Sequence, residues 1–187
     1  MNPHFLFNAL NAIAGLIVEQ PRLADETIEQ LALVLRYTLR QSENEWVRLD
    51  EEIEFVTAYL RVEQARFGDR LRVEFGVDGA AASVPVPAMT IQPLVENAIK
   101  HGVSAIEGSG MVGVKVALAG ELLCVEVSDN GPGFPPGFSI GNNGHGLRNV
   151  ADRIAGYYGS CAQLRWENGR EGTQVFLSIP HANSNRR

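Results

Sequence analysis

The chain has 187 residues, 45% of them hydrophobic and 20% charged, with a formal charge of −6. That length holds one ordinary domain, or a small helical piece plus one α/β domain, and the composition is globular rather than disordered. The acidic balance excludes a general nucleic-acid or anionic-membrane surface, since either partner is repelled at long range, yet it leaves room for a local cationic pocket. No apolar run approaches the roughly 20 residues of a membrane span.

The first third reads as helix. It opens with "NPHFLFNALNAI", Asn2 to Ile13, where His4 and Asn8 lie one turn apart on an otherwise apolar helix. Leu6, Leu10, Ile13 and Ile17 recur at spacings of four and three, a narrow seam suited to a helical partner. Pro21 ends or restarts the pattern, and a second seam follows at Ile28, Leu31, Leu35 and Thr38. Two such helices form an antiparallel hairpin, and two seams close little core; pairing with a second copy into a four-helix bundle is the economical solution. "QSENEW" weakens the pattern, which predicts a break near residues 42–49. "LDEEIEFVTAYLRVEQARF" then resumes it, with Asp50 as candidate N-cap. A start inside a helical pattern reads as a piece of something longer.

After Gly68 the character changes. "LRVEFGV" and "AMTI" are strand-like or extended, and "IQPLVENAIKHG" is a helix ended by glycine. "MVGVKVALAG" and "ELLCVEVSDN" form a hairpin around Ala119–Gly120, "HGLRNVADRIAGYYG" is helical, and "CAQLRWEN" and "TQVFLSIP" form a last hairpin. The predicted fold is α+β: an N-terminal helical hairpin, then a two-layer α/β sandwich with a mixed, mostly antiparallel sheet. The expected division is 1–67 helical, 68–181 α/β and 182–187 a disordered tail. Cys124 and Cys161, far apart and in no metal-ligand spacing, are expected to be free thiols in a reducing cytoplasm.

Three stretches of the second region share one physical theme. "DNGPGF", Asp129 to Phe134, places a carboxylate at a strand end, where it can accept a hydrogen bond from an exocyclic amine. Its glycines, Gly131 and Gly133, permit close backbone approach to a flat ligand; read alone, the stretch is also an ordinary turn. In "GNNGHGLRNV", Gly144 and Gly146 run into an amphipathic helix at Leu147, whose free N–H groups can receive phosphate oxygens. The spacing is neither a dinucleotide fingerprint nor a P-loop. In "ENAIKHG", Asn97 and Lys100 share a helix face; an amide oxygen can ligate Mg²⁺ and an ammonium can contact a phosphate.

In this order, and followed by "EGT" at Glu171 to Thr173, the set resembles the ATP-binding domain shared by histidine kinases, gyrase-type ATPases and Hsp90 chaperones. The resemblance implies that Asp129 holds the adenine amino group, with Gly131, Gly133 and Thr173 around it. It implies that Asn97 binds the Mg²⁺ bridging the phosphates of ATP, and that residues between Gly131 and Gly146 form a lid. "NPHFLFNALNAI", "LRYTLR", "YLRVEQARFGDRL" and "IQPLVENAIKHG" together resemble the LytS-like sensor histidine kinases over almost the whole chain. That class implies His4 as phosphoacceptor and Asn8 as the amide that orients water when the kinase also dephosphorylates its partner. It further implies a homodimer and a response regulator, often of the LytTR DNA-binding type, as acceptor of the phosphate. This chain would touch no nucleic acid itself. The region would face the cytoplasm, joined to the bacterial inner membrane only through an upstream part.

Two departures matter. Many histidine kinases carry an acidic residue after the acceptor; here it is Phe5. Gyrase-type ATPases carry a water-activating glutamate four positions before the metal-binding asparagine; here that position is Pro93, and Glu96 directly precedes Asn97 as the remaining candidate base. Two rivals stay open on sequence: an ATP-binding assembly module without kinase activity, and an anti-sigma-type protein-serine kinase. His101, His145 and His181 are weaker acceptor candidates.

Overall fold

The computed structural model describes residues 3–40, 45–140, 145–169 and 172–181. Helices α1 (Pro3–Glu19) and α2 (Pro21–Arg40) form the predicted hairpin, and α3 (Leu49–Phe67) packs against both. The buried stripe of α1 is Phe5, Ala9 and Ile13, while Leu10 and Ile17 of the expected seam are 50% and 56% exposed. Within one chain α1 therefore turns Phe5 toward α3, where its ring meets Tyr59 at 4.9 Å, and leaves much of the predicted seam uncovered. In α2 the inward residues are Ala24, Thr27, Leu31 and Val34, with Ile28 and Leu39 outside.

Asp50 is not the N-cap of α3. Arg48 takes that position, its backbone N–H donating to the Glu51 carboxylate at 3.2 Å, and Asp50 sits inside the first turn, paired with the Arg48 guanidinium at 2.6 Å. Carboxylates there still favour the helix start. Helix α2 is described as far as Arg40, and the next described element is β1 (Trp46–Arg48); residues 42–44 of the predicted break lie outside the described residues.

The second region is a five-stranded sheet in the order β2 (Leu71–Val77), β4 (Gly110–Ala119), β5 (Leu122–Asp129), β7 (Thr173–Pro180), β6 (Gln163–Asn168). β2 and β4 are parallel and all other pairs antiparallel, which is the predicted mixed sheet. Alternate residues of the central strands, such as Val112, Val114, Leu123, Val127, Leu177 and Ile179, point into the core, as a half-buried sheet requires. Helices α4 (Gln92–Asn97) and α5 (His145–Tyr158) supply the second layer through Leu94, Val95, Leu147, Val150 and Ile154. The extended segment expected at "AMTI" falls three residues earlier, where β3 (Pro85–Pro87) pairs antiparallel with β1; Ala88 to Ile91 form a turn instead. β1 and α3 thus touch elements on both sides of the expected division at 67/68. Among the described residues no helix is long and apolar enough to cross a membrane, and Cys124 and Cys161 are both free thiols.

One fully buried carboxylate ties these parts together. Glu52 of α3 accepts from the Tyr37 hydroxyl of α2 at 2.7 Å, from Met89 N–H at 2.5 Å and from Ile91 N–H at 2.9 Å. Ile91 is the N-cap of α4, which has no local side-chain cap, so a residue 39 positions away satisfies a donor at its entry.

Candidate nucleotide and phosphoacceptor site

Asp129 ends β5 directly opposite Thr173, the first residue of β7. It is 7% exposed, and its carboxyl accepts from Gly131 N–H at 2.9 Å and from the Thr173 amide. Burial pushes the carboxyl up to about 6 from an ordinary 3.8, against the pull of those two amides. The turn after it is pressed against the end of α4. A Cβ on Gly131 would stand 2.3 Å from the Gly102 Cα, and one on Gly102 would stand 2.4 Å from Asp129 Oδ1. These two glycines therefore let two backbones meet beside the buried carboxylate, where any side chain would clash. Gly172 closes the other side, with φ +102° and no room for a Cβ beside the Asp129 carbonyl. Gly102→Ala should displace Asp129 and cost about 1–3 kcal/mol of stability, the usual scale for overpacking. Thermal denaturation and nucleotide titration of that variant check it, with loss of nucleotide binding as the expected result.

Further residues shape this end of the sheet without having stood out in the sequence. Asn130 ties the turn to the start of β4, accepting from Met111 N–H at 2.7 Å and donating to the Ser109 carbonyl at 2.8 Å. Asn168 brackets Phe134, accepting from its N–H at 2.8 Å and donating to its carbonyl at 2.9 Å, beside Gly133. Phe134, Phe138 and Trp166 stack into one aromatic cluster, which anchors the chain leaving the Asp129 turn. Such two-point amide brackets depend on partners far along the chain, so no local signal marks them.

The end of α4 that meets the Asp129 turn does not close as an ordinary helix. Its continuation, Ala98–Gly102, widens into a turn in which Val103 N–H reaches the Ala98 carbonyl five residues back. Such widened turns are frequent at functional sites. Glu96, Ile99 and Lys100 of this segment line a cavity of about 260 Å³ together with His4 and Phe5 of α1, Tyr59, Glu63 and Arg66 of α3, and Ser104. His4 is exposed, and its Nδ1 lies 3.2 Å from the Asn8 side-chain amide nitrogen, so the pair does share a helix face. Glu96 accepts from the Gln92 amide at 2.7 Å.

The structure thus gathers the sequence candidates in two groups. Asp129, Gly131 and Thr173 stand together, with Gly133 on the chain leaving that turn. His4, Glu96 and Lys100 stand around one cavity, with Asn8 bonded to His4 and half-buried Asn97 next to Glu96 on α4. Gly146 is exposed and Leu147 buried at the start of α5. Gly144 and Glu171 lie outside the described residues. Asp129 is a buried acceptor at a strand end, which can take a hydrogen bond from an exocyclic amine.

A helical hairpin carrying an exposed imidazole thus packs on a two-layer sandwich with a buried strand-end aspartate. Residues 1–71 match the family model "Histidine kinase", and residues 87–183 match "Histidine kinase-, DNA gyrase B-, and HSP90-like ATPase". The chain belongs to the histidine kinase-, DNA gyrase B- and HSP90-like ATPase family. It is 37% identical over 188 residues to the sensor histidine kinase YpdA of Escherichia coli, covering 97% of this chain and 33% of that protein. To the sensor protein LytS of Staphylococcus saprophyticus it is 37% identical over 193 residues, covering 98% and 33%. The chain therefore spans about a third of the length of these relatives. Among solved structures, the histidine kinase domain from the Erythrobacter litoralis EL346 blue-light activated histidine kinase superposes with a TM-score of 0.57 at 24% identity, covering 85% of this chain and 75% of that one. The histidine kinase ThkA, in complex with response regulator protein TrrA, gives 0.57 at 19%, covering 98% and 60%.

Proposed function

We propose that this chain is the phosphoacceptor and ATP-binding core of a two-component sensor histidine kinase. The observation that carries the reading is the shared cavity. His4 faces Glu96 and Lys100 on the segment that also bears Asn97, so the acceptor lies beside the helix expected to hold the phosphates. An ATP-binding assembly module has no need for an imidazole there, and a serine kinase no need for the His4–Asn8 pair.

In this mechanism the ionised Asp129 carboxylate accepts the adenine amino N–H, beside the point where the Gly102 and Gly131 backbones meet. Lys100 offers a charge to the phosphates. Among the described residues no cluster of three or more His, Cys, Asp or Glu side chains forms a metal cage. The Asn97 carboxamide oxygen is the group that would hold Mg²⁺, with phosphate and water as the other ligands such an ion usually keeps, and the ion would supply charge neutralisation. Asn8, turned so that its oxygen accepts from Nδ1–H, leaves the Nε2 lone pair of His4 for in-line attack; amide orientation follows the hydrogen-bond network. Positioning dominates, since phosphoryl transfer asks for little covalent help.

The phosphoryl group then passes to an aspartate of a response regulator, here of the LytTR DNA-binding type; ThkA, seen with TrrA, offers the parallel. The uncovered Leu10, Ile17, Val18 and Ile28 suit pairing with a second copy into a four-helix bundle. The region faces the cytoplasm, and the membrane is reached through a part upstream. Incubation with γ-labelled ATP should give an acid-labile, base-stable phosphoprotein. Full labelling of His4→Gln would remove His4 as the acceptor.

A further inference from the structure

The cavity holding His4 contains a charged pair that neither the nucleotide reading nor the fold requires. Glu63 is 2% exposed, and Arg66, one turn later on α3, places Nη1 at 3.0 Å from its Oε2 and 3.4 Å from its Oε1. The guanidinium also lies over the Phe67 ring, 4.1 Å from its centre. A nearly buried ion pair is poor evidence of stabilisation, because desolvation offsets most of the attraction and apolar side chains serve as well. What such a pair does give is a fixed direction for one charged group. Here the group is the arginine fork, held by Glu63 and Phe67 at the wall of the space that His4 faces.

We propose that Arg66 is a catalytic residue: its guanidinium receives the phosphoryl oxygens as that group arrives on His4, with Glu63 as the positioning residue behind it. This rests on His4 being the acceptor. The charges facing the cavity are Arg66 and Lys100 against Glu63 and Glu96. Glu96 is engaged by Gln92 at 2.7 Å, and the Glu63–Arg66 contact is longer than the 2.7–2.9 Å of a full charge-assisted fork. Arg66 is thus tethered with donors to spare, where a group carrying two negative charges must be accepted. The His4 lone pair forms the N–P bond as the bond from phosphorus to the bridging oxygen breaks. That oxygen leaves on ADP with the electron pair, and the ring's remaining N–H proton goes to water. In the transition state charge is spread over the three equatorial oxygens, and an arginine fork matches their geometry better than a point charge.

The test measures the initial rate of phosphohistidine formation and the ATP dissociation constant for wild type, Arg66→Gln, Arg66→Lys and His4→Gln. The expected result for Arg66→Gln is a rate about a hundredfold lower with ATP affinity within about twofold of wild type, the pattern of a contact made in the transition state. Arg66→Lys, which keeps the charge and loses the fork, should fall about tenfold. If Arg66→Gln fails to fold, the lysine variant decides alone. A wild-type rate in the variant that folds, with His4→Gln inactive, overturns the assignment. Full labelling of His4→Gln overturns the acceptor reading instead.

Discussion

Asp129→Asn should lose nucleotide binding and, above pH 6, melt at a higher temperature than wild type. The two effects have one cause. A buried carboxylate is the acceptor that an adenine amino group needs, and its burial makes it costly to the empty protein. Asparagine keeps one oxygen for Gly131 N–H but turns an N–H₂ toward the amine, a donor facing a donor. Loss of a charge-assisted bond with that mismatch should weaken ATP binding at least about a hundredfold. For stability, the folded carboxyl titrates near 6 and the unfolded one near 4, so between those values the folded state binds more protons. Stability therefore falls as pH rises through that window and stays lowered above it. The asparagine variant lacks this decline. After allowance for partial solvent screening, the difference at pH 7.5 is about 1 kcal/mol, or roughly 2–4 °C in melting temperature for a chain this long. In wild type, the same proton opposes the ligand, and ATP affinity should fall about tenfold per pH unit below 6. Calorimetric titration and thermal melts from pH 4 to 8 measure both; equal melting temperatures across that range would contradict the account.

Glu52→Ala should be the most damaging single change in the fold. The side chain is wholly buried and answers three donors at once, from Tyr37, Met89 and Ile91. Truncation removes the acceptor of a hydroxyl and of two backbone N–H groups; a buried N–H left unpaired costs about 1–3 kcal/mol, and a cavity is left as well. The expected loss is about 4 kcal/mol or more, beyond the ordinary range for point substitutions. Because Ile91 starts α4, the damage should reach Glu96 and Asn97, and nucleotide binding should weaken with the fold. Glu52→Gln, which keeps shape and one acceptor, should lose about half as much. Denaturant melts of the pair separate the two costs.

Much of this architecture is legible in the sequence because it is local. The periodicity of α2 and α3, the hairpin around Gly120 and the alternation in "TQVFLSIP" depend on neighbours a few positions apart. The differences arise where distant partners decide. Asp50 yields the cap position because Arg48, drawn into β1 by its pairing with β3, already ends in extended backbone. The extended character of "AMTI" moves to Pro85–Pro87 for the same reason, since β1 and not local propensity selects the paired residues. On α1, the sequence marks a narrow seam through Leu6, Leu10, Ile13 and Ile17, and only the presence of Tyr59 decides that Phe5 goes inward.

The site divides likewise. "DNG" and "KHG" each carry a glycine visible in the sequence, but that Gly102 and Gly131 press on each other emerges only once α4 is folded against β5. Asn168 serves a backbone 34 positions earlier, and Glu63 and Arg66 read as ordinary helix charges until His4 lies across from them.

The most direct test of the whole scheme is a crystal structure with a non-hydrolysable ATP analogue and Mg²⁺. Adenine should sit with its amino group on the Asp129 carboxylate, with the metal on the Asn97 carboxamide and the terminal phosphate turned toward His4. An analogue found elsewhere, or an Asp129 carboxylate without adenine at saturating nucleotide, would contradict it.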